Sequence, residues 1–232
     1  MKSIAKLAVI ILGLFFNSVL FSQNNNMGGS VLNVNEGRAL FSQTKAPDKS
    51  TVIDGSPYIN GGNFQKVNIQ GYSKDVQDLR YNAYEDEMEF KNNEETFYAN
   101  KIDGLIIEFP KLKKVYKCLN YTYDNKSKSG YLVILSEGPT YSLFKREKVE
   151  LLRGEKSPNG YTKDANDYFA KDKDLYLISK DSQFYKYPKN FKDAAELFFL
   201  DKKELETFIK SNKISFSKEP DMIKLVEFIN KR

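Results

Sequence analysis

Residues 79–90, LRYNAYEDEMEF, carry the pattern that decides the fold class. Leu79, Tyr81 and Ala83 alternate with Arg80, Asn82 and Tyr84, and a period of two sends successive side chains to opposite faces of a half-buried strand. The acidic run Glu85-Asp86-Glu87 interrupts the pattern, which resumes with Met88 and Phe90 set against Glu87 and Glu89. The stretch therefore predicts a tight hairpin, with one long bulged strand as the alternative.

Working outward, further strands are expected over 64–70, 96–99 and 105–109, the last closed by Pro110, which cannot donate to a ladder. The first is irregular, because Phe64 and Val67 are an odd number of residues apart. Segments 115–123 and 130–136 flank a polar connection over 124–129 and predict a second hairpin. A strand over 141–152, with a break near 145–148, then Tyr161, a polar stretch to Asp167 and short strands at 168–169, 175–179 and 184–187 follow. After Pro188 the period changes. Phe191, Ala194, Ala195 and Phe198 fall at helical spacing behind Asn190, and Leu205, Phe208 and Ile209 behind Asp201. Met222, Leu225, Val226 and Ile229 form the stripe of a third helix that tolerates Pro220 in its first turn. Strands first and helices last predict an α+β fold: an antiparallel β meander or partly open barrel of about 8–11 strands, then two or three C-terminal helices.

The runs GSPYIN at 55–60, RYNAYEDEMEF at 80–90, KSGYLVIL at 128–135 and LETFIKSNKI at 205–214 resemble a family of secreted proteins from Bacteroidetes, chiefly flavobacteria. The resemblance extends from about residue 55 to the C-terminus. No activity is assigned to that family, so the likeness implies an exported, strand-rich protein and transfers no catalytic residue.

Residues 1–22 have the layout of an export signal: Lys2 and Lys6, an apolar centre over 7–16, then small Ser18 and Ser22 before Gln23. The apolar run is shorter than the roughly 20 residues of a membrane span. The only cysteine is Cys118, far from any cleavage point, so lipoprotein sorting is not expected. A periplasmic or extracellular location is. Residues 23–50, rich in Asn, Gly, Ser and Lys, read as a flexible leader with a weak strand at 31–34, and 51–232 as one domain. The formal charge of +5 falls by two when Lys2 and Lys6 leave with the signal, which gives no support to nucleic-acid binding. A monomer without a cofactor is expected.

There is no histidine, which removes the usual general base and metal ligand. Cys118 reads as a small buried residue. The candidate binding residues are Arg80, Asn82, Tyr84, Glu85, Asp86 and Glu87. Carboxylates clustered in this way serve glycoside hydrolysis or calcium binding, but the spacing fits no calcium loop. The expected role of Glu85, Asp86, Glu87 and Glu89 is a solvated turn, dispensable for stability. Arg80 is expected to pair within the fold. Lys111, Lys113, Lys114 and Lys117, with Tyr116, Tyr121 and Tyr123, form the nearest approach to an aromatic, basic patch, read here as charged protection of a strand edge. The leading functional expectation is a non-enzymatic exported binding or interaction protein acting on an unknown protein or small molecule. A hydrolase or lyase working through Glu, Asp, Lys and Tyr is the alternative, and a structural envelope protein the third. A pocket that gathers two carboxylates beside Arg80 or a lysine favours the enzyme.

Overall fold

The structure is a computed structural model that describes residues 42–44, 52–72, 76–158 and 163–232. In chain order the first strands are β1 (Ser42–Thr44), β2 (Asn68–Ile69), β3 (Leu79–Asn82), β4 (Glu87–Asn92) and β5 (Glu95–Ala99). Next come β6 (Ile106–Phe109), β7 (Lys114–Tyr123), β8 (Lys126–Ser136), β9 (Ser142–Arg146) and β10 (Val149–Leu152). The chain continues with β11 (Tyr168–Lys171), β12 (Leu175–Lys180) and β13 (Gln183–Lys186), then α1 (Phe191–Phe198), α2 (Lys202–Ser211) and α3 (Glu219–Ile229). This is the expected α+β order. Its strands are more numerous than expected, with thirteen among the described residues. They lie in a four-stranded sheet, β1-β5-β4-β3, a seven-stranded sheet, β13-β12-β9-β8-β7-β6-β2, and the ribbon β10-β11. Among the described residues the sheets stay open and close no barrel.

Residues 79–90 form the hairpin their alternation predicts, with Leu79 opposite Phe90 and Tyr81 opposite Met88. The β7–β8 hairpin is tighter than the polar run 124–129 suggests. Its turn is Asp124-Asn125 alone, both residues at positive φ, and Asp and Asn tolerate the left-handed conformation that primed two-residue turns demand. Segment 141–152 does break: β9 stays in the large sheet beside β8 and β12, while β10 leaves it to pair with β11. The irregular spacing over 64–70 also has a cause. Gln65 exchanges both backbone hydrogen bonds with Leu79 of β3, whereas Asn68–Ile69 pair with β6. The segment therefore crosses from one sheet to the other instead of forming one strand.

The expected signal at 1–22, the weak strand at 31–34 and Tyr161 lie outside the described residues. The expected flexible leader over 23–50 needs one correction, because Ser42–Thr44 form an edge strand on β5.

The seven-stranded sheet bends until Phe184 of β13 meets Tyr121 of β7, ring centroids 5.2 Å apart. Leu132, Phe144 and Leu177 fill that inner face. On the other face Tyr116, Cys118, Tyr131 and Val133 pack against Leu79, Tyr81, Met88 and Phe90 of the smaller sheet. The rest of that face, Tyr141, Leu143 and Ile178, is covered by the helices through Ala194, Phe198, Leu205, Met222, Leu225, Val226 and Ile229. Helix starts agree with the sequence reading. Asn190 accepts from the Asp193 N–H, and Asp201 from those of Lys203 and Glu204. Among the described residues no helix is long and apolar enough to cross a membrane. Cys118 is buried, and burial pushes its thiol up to about 12, so no reactive thiolate forms near neutral pH.

Candidate functional site

Asn82 shapes the turn of the β3–β4 hairpin. Its Oδ1 accepts from the backbone N–H groups of Tyr84 and Glu85, each at 3.1 Å, an Asx turn closed by the side chain. Asp86 then takes a left-handed conformation, φ 57°. Tyr84 is thereby left on the surface, 43% exposed, its ring edge-on to Phe169 at 5.2 Å. The Asp86 carboxylate turns inward, where Oδ1 accepts from the Tyr81 hydroxyl at 2.7 Å and the Tyr131 N–H at 3.1 Å. That approach requires Gly130, since a Cβ there would stand 2.0 Å from Asp86 Oδ2.

A cleft of about 300 Å³ opens where this turn meets the outer end of the β7–β8 hairpin and the link between β9 and β10. Tyr84 and Asp86 form one wall, Tyr121, Lys128 and Ser129 the second, and Arg146 and Lys148 the third. Glu147, between the last two, follows the alternation and points inward, accepting from Lys114 Nζ at 2.6 Å and from the Tyr116 hydroxyl at 2.7 Å. Asn60 completes that group, taking a bond from Lys114 and giving one to Tyr116. Arg146 lies beside Tyr121 and favours its ionised form, against the larger effect of burial, which raises that hydroxyl. Lys148 pairs with Glu150 and, at 3.7 Å, with Asp172.

Of the six residues singled out by sequence, Tyr84 and Asp86 line the cleft, and the other four brace the small sheet. The Arg80 guanidinium lies between the rings of Tyr58 and Phe64, 4.2 and 4.3 Å from their centroids. It donates to Glu89 at 2.7 Å through both Nε and Nη2, and to the Gly62 carbonyl at 2.9 Å. Glu89, fully buried, also accepts from the Tyr58 hydroxyl at 2.9 Å and Asn82 Nδ2 at 2.8 Å. Glu85 accepts from Asn82 and from the Tyr98 hydroxyl, each at 2.8 Å, and Glu87 pairs with Lys101 at 2.7 Å. The expectation of a solvated turn holds for Glu85 and is corrected for the other three: Asp86 and Glu87 are half-buried and bonded internally, and Glu89 is fully buried. The pairing of Arg80 within the fold is as expected. The run 111–117 is not one patch, because Lys114 turns in to Glu147 and Lys117 pairs with Glu137 at 2.8 Å.

Burial is the largest influence on Asp86 and raises its carboxyl above the ordinary 3.8, against the opposing bonds from Tyr81 and Tyr131. A raised native value means that the folded chain holds this proton more tightly than the unfolded chain. The resulting stabilisation is complete below the unfolded value and is lost as pH rises through the native one. Asp86→Asn keeps an acceptor for both donors and cannot ionise. Its urea stability is expected to decline less than the parent's between pH 4 and pH 7, a range chosen about the ordinary carboxylate values. Equal declines would show that Asp86 ionises as freely in the fold as outside it.

Comparison with protein-family models, curated proteins and solved structures finds no match. The chemistry of the cleft is therefore the ground for a functional reading. Sequence reasoning missed Lys128, Ser129, Arg146 and Lys148, which come from chain segments far from the acidic hairpin. The one available signal was the charged run Lys145-Arg146-Glu147-Lys148 inside an apolar strand pattern, read only as a break.

Proposed function

We propose that the chain is an exported binding protein of the periplasm or cell exterior that holds a small ligand in the cleft between Tyr84, Lys128 and Arg146. The observation that carries this reading is the division of labour among the charged groups. The cleft carboxylates, Asp86 and Glu147, are occupied by internal donors, while Lys128, Arg146 and Lys148 line the open side. A site whose acids serve the fold and whose cations face the cavity is equipped to hold a ligand. The N-terminal layout and the resemblance to secreted Bacteroidetes proteins support export.

The test is a thermal-shift screen of neutral sugars, peptides and organic anions on the parent and on Ser129→Trp, which fills the cleft from an exposed position. Ligands that raise the parent's melting temperature are expected to lose their effect in the variant. Hits that persist in Ser129→Trp would sink the assignment to this cleft. Export is tested separately by intact mass of protein secreted from its own host, where Gln23 is the expected first residue.

A hydrolase or lyase is the second reading, and one observation favours it. The cleft brings two carboxylates beside Lys128 and Lys148, with Asp86 shifted toward its neutral acid by burial and Lys128 toward its neutral amine, chiefly by desolvation. Turnover of a cleft ligand that disappears in a folded Lys128→Met variant would select it.

A further inference from the structure

We infer that the ligand of this cleft is a small hydroxylated molecule with at least two oxyanion groups, phosphate or carboxylate, placed on either side of Arg146 and Lys148. The inference rests on the binding-protein reading and names its ligand class.

Lys128, Arg146 and Lys148 converge on the cleft of about 300 Å³. Its two carboxylates are engaged by internal donors, Asp86 by Tyr81 and Tyr131 and Glu147 by Lys114 and Tyr116, and although Lys148 also reaches Glu150 and Asp172 outside the cleft, the lining holds three cations against two engaged acids. The cations oppose one another: beyond the larger effect of desolvation, Arg146, Lys126 and Lys148 all push the Lys128 ammonium toward neutrality. Like charges held together destabilise a fold unless a counter-charge arrives. Arg146 lines the cleft, and the planar fork of its guanidinium matches a phosphate or carboxylate.

A second cavity, of about 530 Å³, opens on the same two residues. Arg146 and Lys148 line both cavities, and Lys173, Lys186 and Lys189 add three more cations to the second. Its acids are engaged, Asp172 by Lys148 at 3.7 Å and Asp174 Oδ2 by Lys171 at 3.0 Å. Two residues of this lining carry buried polar atoms with no hydrogen-bond partner, the Tyr187 hydroxyl and Asp174 Oδ1. The first lacks an acceptor and the second a donor, and buried groups left in that state cost free energy. A ligand with hydroxyls beside its oxyanions supplies both. The shared Arg146–Lys148 ridge lets one such molecule reach both cavities.

The test is calorimetric titration of the full chain at low ionic strength with fructose 1,6-bisphosphate, citrate, orthophosphate and free fructose. The bisphosphate or citrate is expected to bind saturably, about tenfold or more tighter than orthophosphate, with free fructose silent. Whichever of the two binds better assigns phosphate or carboxylate as the source. Arg146→Met and Lys128→Met are each expected to weaken binding about tenfold while the ligand-free melting temperature holds or rises, since each removes a repelling cation, and added salt is expected to weaken parent binding. Lys192→Met with Lys202→Met removes two exposed helix charges and is expected to change nothing. An equal loss in that control pair would mean diffuse surface charge and overturn the inference. Fructose binding as tightly as its bisphosphate, or a neutral ligand that Ser129→Trp excludes while no anion binds, would overturn the ligand class and leave the binding-protein reading standing. Anion binding unaffected by Ser129→Trp, or no cleft ligand of any kind, would overturn both.

Discussion

Arg80→Met is expected to lower the unfolding free energy by about 3–5 kcal/mol, the cost of leaving a buried carboxylate without its counter-charge. The value follows from the position of Glu89, which has no solvent exposure and draws both of its arginine bonds from Arg80 at 2.7 Å. The Tyr58 hydroxyl and Asn82 remain as donors after the substitution, but neither carries charge. The rings of Tyr58 and Phe64 also lose the plane stacked between them. The double variant Arg80→Met/Glu89→Met should recover much of the loss, because a paired ion and a well-packed apolar pair of similar volume are often close in stability. Urea denaturation of the parent, the single and the double variant decides the matter. A single-variant loss below about 1 kcal/mol, the range of exposed pairs, would show that Glu89 is hydrated in solution.

Truncation after Ser217 is expected to have a larger effect still. It removes Met222, Leu225, Val226 and Ile229, all buried against Tyr141, Leu143 and Ile178 of the large sheet. Each such side chain contributes roughly 1.5–3 kcal/mol of transfer free energy, so four together rival the net stability of a domain. Polar ties go as well. Asn230 accepts from the N–H groups of Thr140 and Tyr141 and donates to the Tyr141 carbonyl, clasping the turn between β8 and β9, and Glu219 takes bonds from Lys145 and the Tyr176 hydroxyl. The shortened chain should aggregate or lose its cooperative transition in calorimetry. A soluble product that melts at the parent temperature would make the last helix an appendage.

The architecture was largely readable because its signals are local. Alternation over 79–90, the caps Asn190 and Asp201, and the stripe Met222-Leu225-Val226-Ile229 each report on neighbours in the chain. The site was not readable for the opposite reason. Asp86 looks like a turn acid until Gly130 and Tyr131, more than forty residues later, come to rest against it. Arg146 and Lys148 look like a break in a strand until β10 leaves the large sheet and turns them toward Tyr84. Glu89 follows the alternation expected of a solvent-facing acid, and only the Arg80 guanidinium, roofed by two rings from residues 58 and 64, makes that face an interior.

The crossing of residues 65–69 between the two sheets gives the molecule an order of assembly. Hairpins β7–β8 and β12–β13 close over two residues each and confine little chain, so they can form early. Gln65 and Ile69 have nothing to bind until β3 and β6 are in place, and β1 must wait for β5. These N-terminal threads are the last to be laid down and the first to lift, so in native-state hydrogen exchange the amides of Gln65 and Gln70 should open ahead of those in β7 and β8. A small ladder that binds two layers by its opposite ends thus behaves as a latch, and the domain opens from the side laid down by its N-terminal segment.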